Sequence, residues 1–346
     1  MDTYFGRPSL GHPSIGHPSQ CTMNTDPPTL VANKYRVVGH LGNGRFGTVY
    51  LGVHVRTGEK VAIKTEPNAG GPDEIHLLKH ESAILNYLYS ASCRNIPPVY
   101  WYGGVPDLRM TALVQPYYER DLKTYIDAFP LNLERYISGQ ASSSSRDSQI
   151  YRFMRSAILV LRNVHAHGII HRDIKPDNLM IRTLADGTPE LVLIDFGLAT
   201  FVDENTGGSA NCKPDGQTHI IGTPKFASWY VHRGYAYLPR DDLMSLAYIG
   251  MWLIFGENFW GGVSLSDTDL EFGMDICDND VPAIHINSSM NLWFRLAKSP
   301  KYVRSLFSQP IRDSSSPLLS FIDAVYSLSG SDPPDYDSLV KIFANI

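Results

Sequence analysis

The sequence predicts an α+β protein in two lobes, a small β-rich one followed by a larger, mostly helical one. Three observations predict it. Residues 35–65 carry three β-rich runs separated by glycine-containing turns, and one helical pattern stands before two further strand patterns. After Arg120 apolar residues recur at helical spacing instead. The longest apolar run, LMSLAYIGMWLIFG at 243–256, follows Asp241 and Asp242 and falls short of the roughly 20 residues of a membrane span, so it reads as a buried helix.

The elements follow in order. Residues 1–33 are rich in Pro, Gly, Ser and Thr and include GHPSIGHPS, which cannot bury enough apolar surface to offset ordering; a flexible tail is expected, with His12 and His17 solvated. From Lys34, YRVVGHL (35–41), TVYLGVHV (48–55) and EKVAIKT (59–65) predict a twisted antiparallel meander. In HLLKHESAILNYLYS (76–90), Leu77, Leu78, Ile84, Leu85 and Leu88 fall near helical spacing, and VYWYG (99–103) and RMTALVQ (109–115) follow as strands. The domain thus starts at 34, with the small lobe at 34–115, a link at 116–120 and the larger lobe at 121–346. There DLKTYIDAF (121–129) and a long stretch at 149–167 are helical, the latter with Met154, Ile158, Leu161 and His165 on one face. Between them lies a polar Ser-rich loop at 138–149. LMIRT and ELVLIDF are short strands, and mostly helical sequence runs on to Ile346.

Composition excludes several classes. Of 346 residues 43% are hydrophobic, ample for a core, and the net charge of -5 gives no general attraction to nucleic acid or anionic membrane. The opening MDTYFGRPSLGHPS has no apolar core and does not read as a secretory signal. Cys21, Cys93, Cys212 and Cys277 are scattered without a CxxC pair, which suits reduced thiols in the cytoplasm or nucleus rather than a disulfide framework or zinc site. A monomer without a membrane anchor is expected.

Three motifs carry chemistry. LGNGRFGTV places Gly42, Gly44, Gly47 and Val49 between two strands, where glycines let backbone approach a phosphate; a dinucleotide-type fingerprint would need a helix after Gly47, and a strand pattern follows instead. The hairpin form points to a lid over nucleotide phosphates. In VAIK, alternation puts Val61 and Ile63 on one side and Ala62 and Lys64 on the other, where small Ala62 leaves room for a flat base and Lys64 has a phosphate to hold. An ammonium in a cleft needs a counter-charge, which Glu81 in KHESAILNYL supplies, with Glu74 as second candidate.

The third motif is IIHRDIKPDNLMI (169–181) with LIDFG. Its charges are too dense for a surface turn. Hard Mg²⁺ prefers oxygen ligands, which Asn178 and Asp195 provide; Asp173 would accept the hydrogen bond of a substrate hydroxyl, and Lys175 would neutralise charge on a transferred phosphoryl group.

Taken in this order, GxGxxGxV, VAIK, a helical Glu, HRDxKxxN and DFG make the sequence resemble the eukaryotic protein kinase superfamily over about residues 34–346. That resemblance implies the bilobal kinase fold, ATP and Mg²⁺ as cofactors, and protein substrates. GTPKFASWYVHRG (222–234), where A-P-E is usual, together with PRDDLMSLAY and PPDYDSLVKIFANI, is similar to the casein kinase 1 group. The same resemblance implies that Asp242 supports the catalytic-loop backbone and that Arg172 belongs to the HRD motif. It further implies that Gln115 is the gatekeeper, that Tyr118 is the hinge residue meeting adenine through its backbone, and that Ala62, Met180 and Ile194 line the base pocket. Lys175 and Thr223 fit Ser/Thr acceptors.

There are departures. Pro224-Lys225 replaces the usual pair, and residues 261–273 carry Asp267, Asp269 and Glu271 where the group has a basic cluster, so its anion-recognition site is in question. The alternative reading is a pseudokinase acting as a nucleotide-binding scaffold; retention of Lys64, Asp173 and Asp195 argues against it.

Overall fold

Strand formation in the first sheet follows the alternation of its residues. The computed structural model describes residues 30–44, 47–68, 76–105, 109–129, 145–202, 220–256, 294–307, 316–328 and 333–344. Among them β1 (Leu30–Val31), β2 (Tyr35–Gly44), β3 (Gly47–His54), β4 (Lys60–Pro67), β5 (Trp101–Val105) and β6 (Met110–Pro116) form one antiparallel sheet in the order β1-β2-β3-β4-β6-β5. In β4, Val61 and Ile63 are fully buried, while Ala62 and Lys64 are half-buried on the opposite face. The buried face joins Val31, Tyr35, Tyr50, Ala112 and Val114 in a core of its own.

β1 corrects the tail reading for residues 30–33. Val31 pairs with Tyr35 and is completely buried, and the chain turns between them through left-handed Ala32 and Asn33. An apolar pair at the end of a Pro-rich tract is hidden in an average composition, yet it completes the core beneath the sheet. The rest of the tail, residues 1–29, lies outside the described residues.

Helix α1 (Leu77–Ser90) buries Leu78, Ile84, Leu85 and Leu88, and on its buried side also Glu81 and Ser82. It packs on the larger, helical part. That part contains β7 (Arg120–Asp121), α2 (Leu122–Asp127), α3 (Ser145–His165), β8 (Ile169–Ile170), β9 (Leu179–Thr183), β10 (Pro189–Leu193) and β11 (Thr200–Phe201). It continues through α4 (Trp229–His232), α5 (Pro239–Phe255), a helical turn at 294–297, α6 (Pro300–Ser305), α7 (Pro317–Tyr326) and α8 (Tyr336–Lys341). The chain is mixed α+β, with its β-rich region first.

α3 starts at Ser145, inside the stretch read from sequence as a Ser-rich loop. Its first turn is docked by Arg146, which donates to the Ile126 carbonyl at 3.2 Å and to Asp127 at 3.0 Å, so tertiary bonds override a weak local preference. Residues 138–144 lie outside the described residues. Farther along α3, Met154, Ile158 and Leu161 are buried against α5, each side chain contributing about 1.5–3 kcal/mol. α5 is the apolar run read as a buried helix. Pro239 stands in its first turn and Asp241 caps it by accepting from the Leu238 amide at 2.7 Å. No helix among the described residues is long and apolar enough to cross a membrane.

Candidate active site

The sheet lines up the glycine hairpin and the lysine strand by register. Gly42 pairs with Val49, Val49 with Lys64 and Lys64 with Leu113, while Ala62 pairs with Gln115 in the adjacent row. Two of the glycines are needed for different reasons. A Cβ on Gly47 would lie 1.8 Å from the Thr65 carbonyl oxygen, so strand packing alone demands glycine there. A Cβ on Gly42 would meet nothing within 4 Å, so the space it leaves is open to a ligand. Gly44 pairs with Gly47 at the hairpin tip.

Lys64, from β4, is drawn into a three-charge cluster. Its Nζ lies 2.7 and 3.0 Å from the two carboxylate oxygens of Glu81 and 2.8 Å from Asp195 Oδ1. Gln115 touches the same Glu81 from β6 at 3.5 Å. Burial alone would lower the Lys64 ammonium, but the facing carboxylates of Glu81 and Asp195 outweigh it and hold the group above the usual lysine value. Burial likewise pushes Asp195 up, and Lys64 overrides it to leave the carboxyl below its usual value. Glu81 is sealed with 2% of its side chain exposed, whereas Asp195 is 42% exposed and keeps Oδ2 without a partner among the described residues. One carboxylate serves the lysine, and the other also faces the cleft.

The loop after β8 is held by one residue from α5. Asp242 accepts from the His171 amide at 2.8 Å, the Arg172 amide at 2.9 Å and His165 Nε2 at 2.9 Å. Burial opposes its charge, yet these bonds, His165's first, keep the carboxyl below its usual value. Arg172 and Asp195 both adopt left-handed backbone, at φ 68° and 67°, which costs on the order of 1 kcal/mol or more for each and is upheld by such bonds. Arg172 also donates through Nε to the Leu198 carbonyl at 2.7 Å.

Asp173 is consequently fixed at the cleft floor. Lys175 Nζ donates to its Oδ2 at 2.7 Å, and Thr223 Oγ1 donates to its Oδ1 at 2.7 Å. Asn178 spends its amide protons on the Asp173 carbonyl at 2.9 Å and on Oδ2 at 3.3 Å, so its own amide oxygen is the atom left to bind. Asn178 Oδ1 and Asp195 Oδ2 are hard oxygen donors, the set a divalent cation such as Mg²⁺ takes. Gly222, at φ 88°, is required by contact: a Cβ there would lie 2.3 Å from the Arg172 carbonyl oxygen.

This arrangement coincides with a match to the protein kinase domain family over residues 35–331. The chain belongs to the protein kinase family. Domains of this family are in general phosphotransferases that use ATP and Mg²⁺ and act on protein substrates.

In this kinase the DFG phenylalanine, Phe196, is completely buried and meets the His171 ring edge-on at 4.8 Å, joining the loop that carries Asp195 to the loop that carries Asp173. After β6, Tyr118 has neither its amide nor its carbonyl in a backbone hydrogen bond among the described residues, so both are open to a ligand. Met180 on β9 and Ile194 after β10 are half-buried, and no described contact ties them to the Lys64 cluster.

Sequence reasoning missed several groups that shape the site. His165 was read as one more residue on an apolar helix face, but it lies between Asp242 and the Tyr336 hydroxyl. Tyr237 donates to the Ile221 carbonyl, and Ser228 donates to Asp241, pinning the segment at 221–228 from below. Lys298 does the same from a distant turn. A lone tyrosine, serine or lysine leaves no spacing signature, so no pattern announced them. Glu74, and the acidic stretch with Asp267, Asp269 and Glu271, lie outside the described residues.

Proposed function

We propose that the chain is an active serine/threonine protein kinase, similar to the casein kinase 1 group, that transfers the γ-phosphoryl group of ATP to Ser and Thr hydroxyls. One observation carries the reading: Asp173 is clasped between Lys175 and Thr223 while Lys64 bridges Glu81 and Asp195. A pseudokinase scaffold has no use for either constellation, and both are whole. Asp173 accepts the hydrogen bond of the incoming hydroxyl and aims its oxygen at phosphorus; as the new P–O bond forms and the bond to the ADP oxygen breaks, the hydroxyl proton passes to Asp173. Lys175 stabilises the charge spread over the moving phosphoryl oxygens. Lys64, fixed by Glu81, holds the nucleotide phosphates beneath Gly42, Gly44, Gly47 and Val49. Asn178 and Asp195 hold Mg²⁺, which supplies neutralisation of the triphosphate charge. Ala62, Gln115, Tyr118, Met180 and Ile194 surround the base.

Ser/Thr selectivity rests on the Lys175–Thr223 pair beside Asp173, and the group assignment on GTPKFAS, PRDDLMSLAY and the terminal PPDYDSLVKIFANI. The pins at Tyr237, Thr223 and Ser228 favour basal activity without phosphate on the activation segment. Free, buried Cys93 agrees with a reducing cytoplasmic or nuclear setting. The test is Mg²⁺-dependent transfer from ATP to a degenerate peptide library, using phosphatase-treated protein and phosphoamino-acid analysis. Phosphoserine and phosphothreonine are expected. Phosphotyrosine would overturn the acceptor class, and no transfer would overturn the reading itself.

A further inference from the structure

The least conventional group in the molecule is Lys298, whose side chain is completely buried. A lysine in a core costs several kcal/mol unless its donors are satisfied, and a leucine or methionine would fill the same space at lower cost. The Lys298 donors meet a pair of inward-facing carbonyls, one of which, that of Pro224, also lies 3.0 Å from His232 Nε2. Lys298 Nζ donates to the Pro224 oxygen at 2.7 Å and the Ala227 oxygen at 2.6 Å, and contacts His232 Nε2 at 3.0 Å. Its Nζ also stands over the Phe294 ring at 4.8 Å and the Tyr248 ring at 5.0 Å.

Both carbonyls belong to one turn. The amides of Phe226 and Ala227 each donate to the Thr223 carbonyl at 2.9 Å, so the turn at 224–227 closes on Thr223. The hydroxyl of that same Thr223 donates to Asp173. A continuous set of bonds therefore runs from Lys298 through the turn to the candidate catalytic carboxylate. Lys298 is itself fixed at its other end: Tyr326 donates to its backbone carbonyl at 2.7 Å, and the Tyr326 hydroxyl meets the Tyr248 hydroxyl at 2.7 Å.

We propose that Lys298 is a positioning residue for the protein acceptor: by tying down the carbonyls of Pro224 and Ala227 it fixes the turn that closes on Thr223, and through Thr223 the aim of Asp173 at the acceptor hydroxyl. The proposal rests on the protein kinase reading. Nucleotide binding, which uses Lys64 and Asp195 on the other wall, does not depend on it.

Lys298→Met keeps an unbranched apolar stem, one atom shorter, and removes the donors. The expected result is a loss of about 100-fold in kcat/KM for peptide, with KM for ATP and Kd for Mg·ADP within about 2-fold of wild type. Hydrogen exchange should rise at 221–228 and stay unchanged in β4 and α1. A general structural role would instead weaken ATP and peptide together, and that outcome, or a folded variant within about 3-fold of wild type on peptide, overturns the proposal. Should Lys298→Met fail to fold, Tyr326→Phe decides, because it releases the Lys298 carbonyl and the Tyr248 hydroxyl while leaving the Lys298 side chain and its two acceptors in place. A loss of about 3- to 10-fold confined to the peptide supports positioning, and none overturns it. Were the wild type to phosphorylate no peptide, the kinase reading would fall. Exchange at 221–228 would then decide, with unchanged protection in either variant counting against Lys298.

Discussion

Lys64 and Lys298 are two lysines in the interior of one chain, and their surroundings are opposite. Lys64 faces two carboxylates, retains 16% exposure of its side chain and has its ammonium stabilised. Lys298 is sealed among backbone carbonyls, an imidazole and aromatic rings, and burial pulls it well below the usual lysine value. The difference follows from what each must hold. A lysine suited to meet a polyanion has to stay charged and reachable, and Glu81 and Asp195 keep Lys64 charged. One that holds a turn needs only directional donors and exclusion of water. The first is suited to chemistry, the second to geometry.

The largest effect is expected on the charged wall and the floor beside it. Asp173→Asn and Asp195→Asn should each lower phosphotransfer by a factor on the order of 10³ or more with the fold intact. The two should separate on nucleotide affinity: Asp195→Asn weakens binding of Mg·ATP by calorimetry and Asp173→Asn does not. Retained transfer in either folded variant would remove these residues from the active site.

Next comes the support beneath that floor. Asp242→Ala leaves the His171 and Arg172 amides and His165 without their shared acceptor, and should cost about 3 kcal/mol in urea unfolding. A cost below about 1 kcal/mol would mean that the left-handed Arg172 backbone is upheld by something else.

The contrast also explains what the sequence made legible. Lys64, Glu81, Asp173, Asn178 and Asp195 could be singled out as candidates because their residue types stand at set spacings on a strand, a helix and two loops, and the structure links Lys64 to Glu81 and Asp195, and Asn178 to Asp173. The same alternation that buried Val61 and Ile63 delivered Lys64 to the cleft. Lys298 stands in FRLAKSPKY, and nothing in that string distinguishes a core lysine from a surface one. Its role depends on carbonyls more than 70 residues away in sequence. β1 was missed for a related reason, since Val31 is defined by the sheet it completes. Chemistry leaves local patterns, while packing partners are set by the finished fold.

Lys64 itself should show a smaller effect than the aspartates. Lys64→Met is expected to lower kcat/KM for ATP by about 100-fold and to leave peptide affinity unchanged, the mirror image of Lys298→Met. If both lysine variants changed the same kinetic constant, the division of labour between them would be wrong.

The smallest effect separates the two regions by pH. Beneath the anchored turn, Asp241 is buried, and burial raises its carboxyl from about 3.8 to about 6 despite Arg240 and the bonds from Ser228 and the Leu238 amide; neighbouring Asp242 adds to the rise. A folded value above the unfolded one means that the folded state binds the proton more tightly. The stability this contributes is fully present below about pH 4 and is lost as pH rises through about 6. In the Lys64 cluster the shifts of Lys64 and Asp195 run the other way, up for the base and down for the acid, while burial raises Glu81 in the same direction as Asp241, a contribution that the wild type and Asp241→Asn share. Taking pH from 7 to 5 should therefore stabilise the wild type relative to Asp241→Asn by about 1 kcal/mol. Urea unfolding of both proteins at the two pH values measures this, because titrations common to both cancel in the difference. A difference that stays constant, or a wild type that loses ground on acidification, would show that Asp241 is already charged and satisfied in the fold. The turn held by Lys298 and Ser228 would then rest on a fixed charge rather than a titrating one.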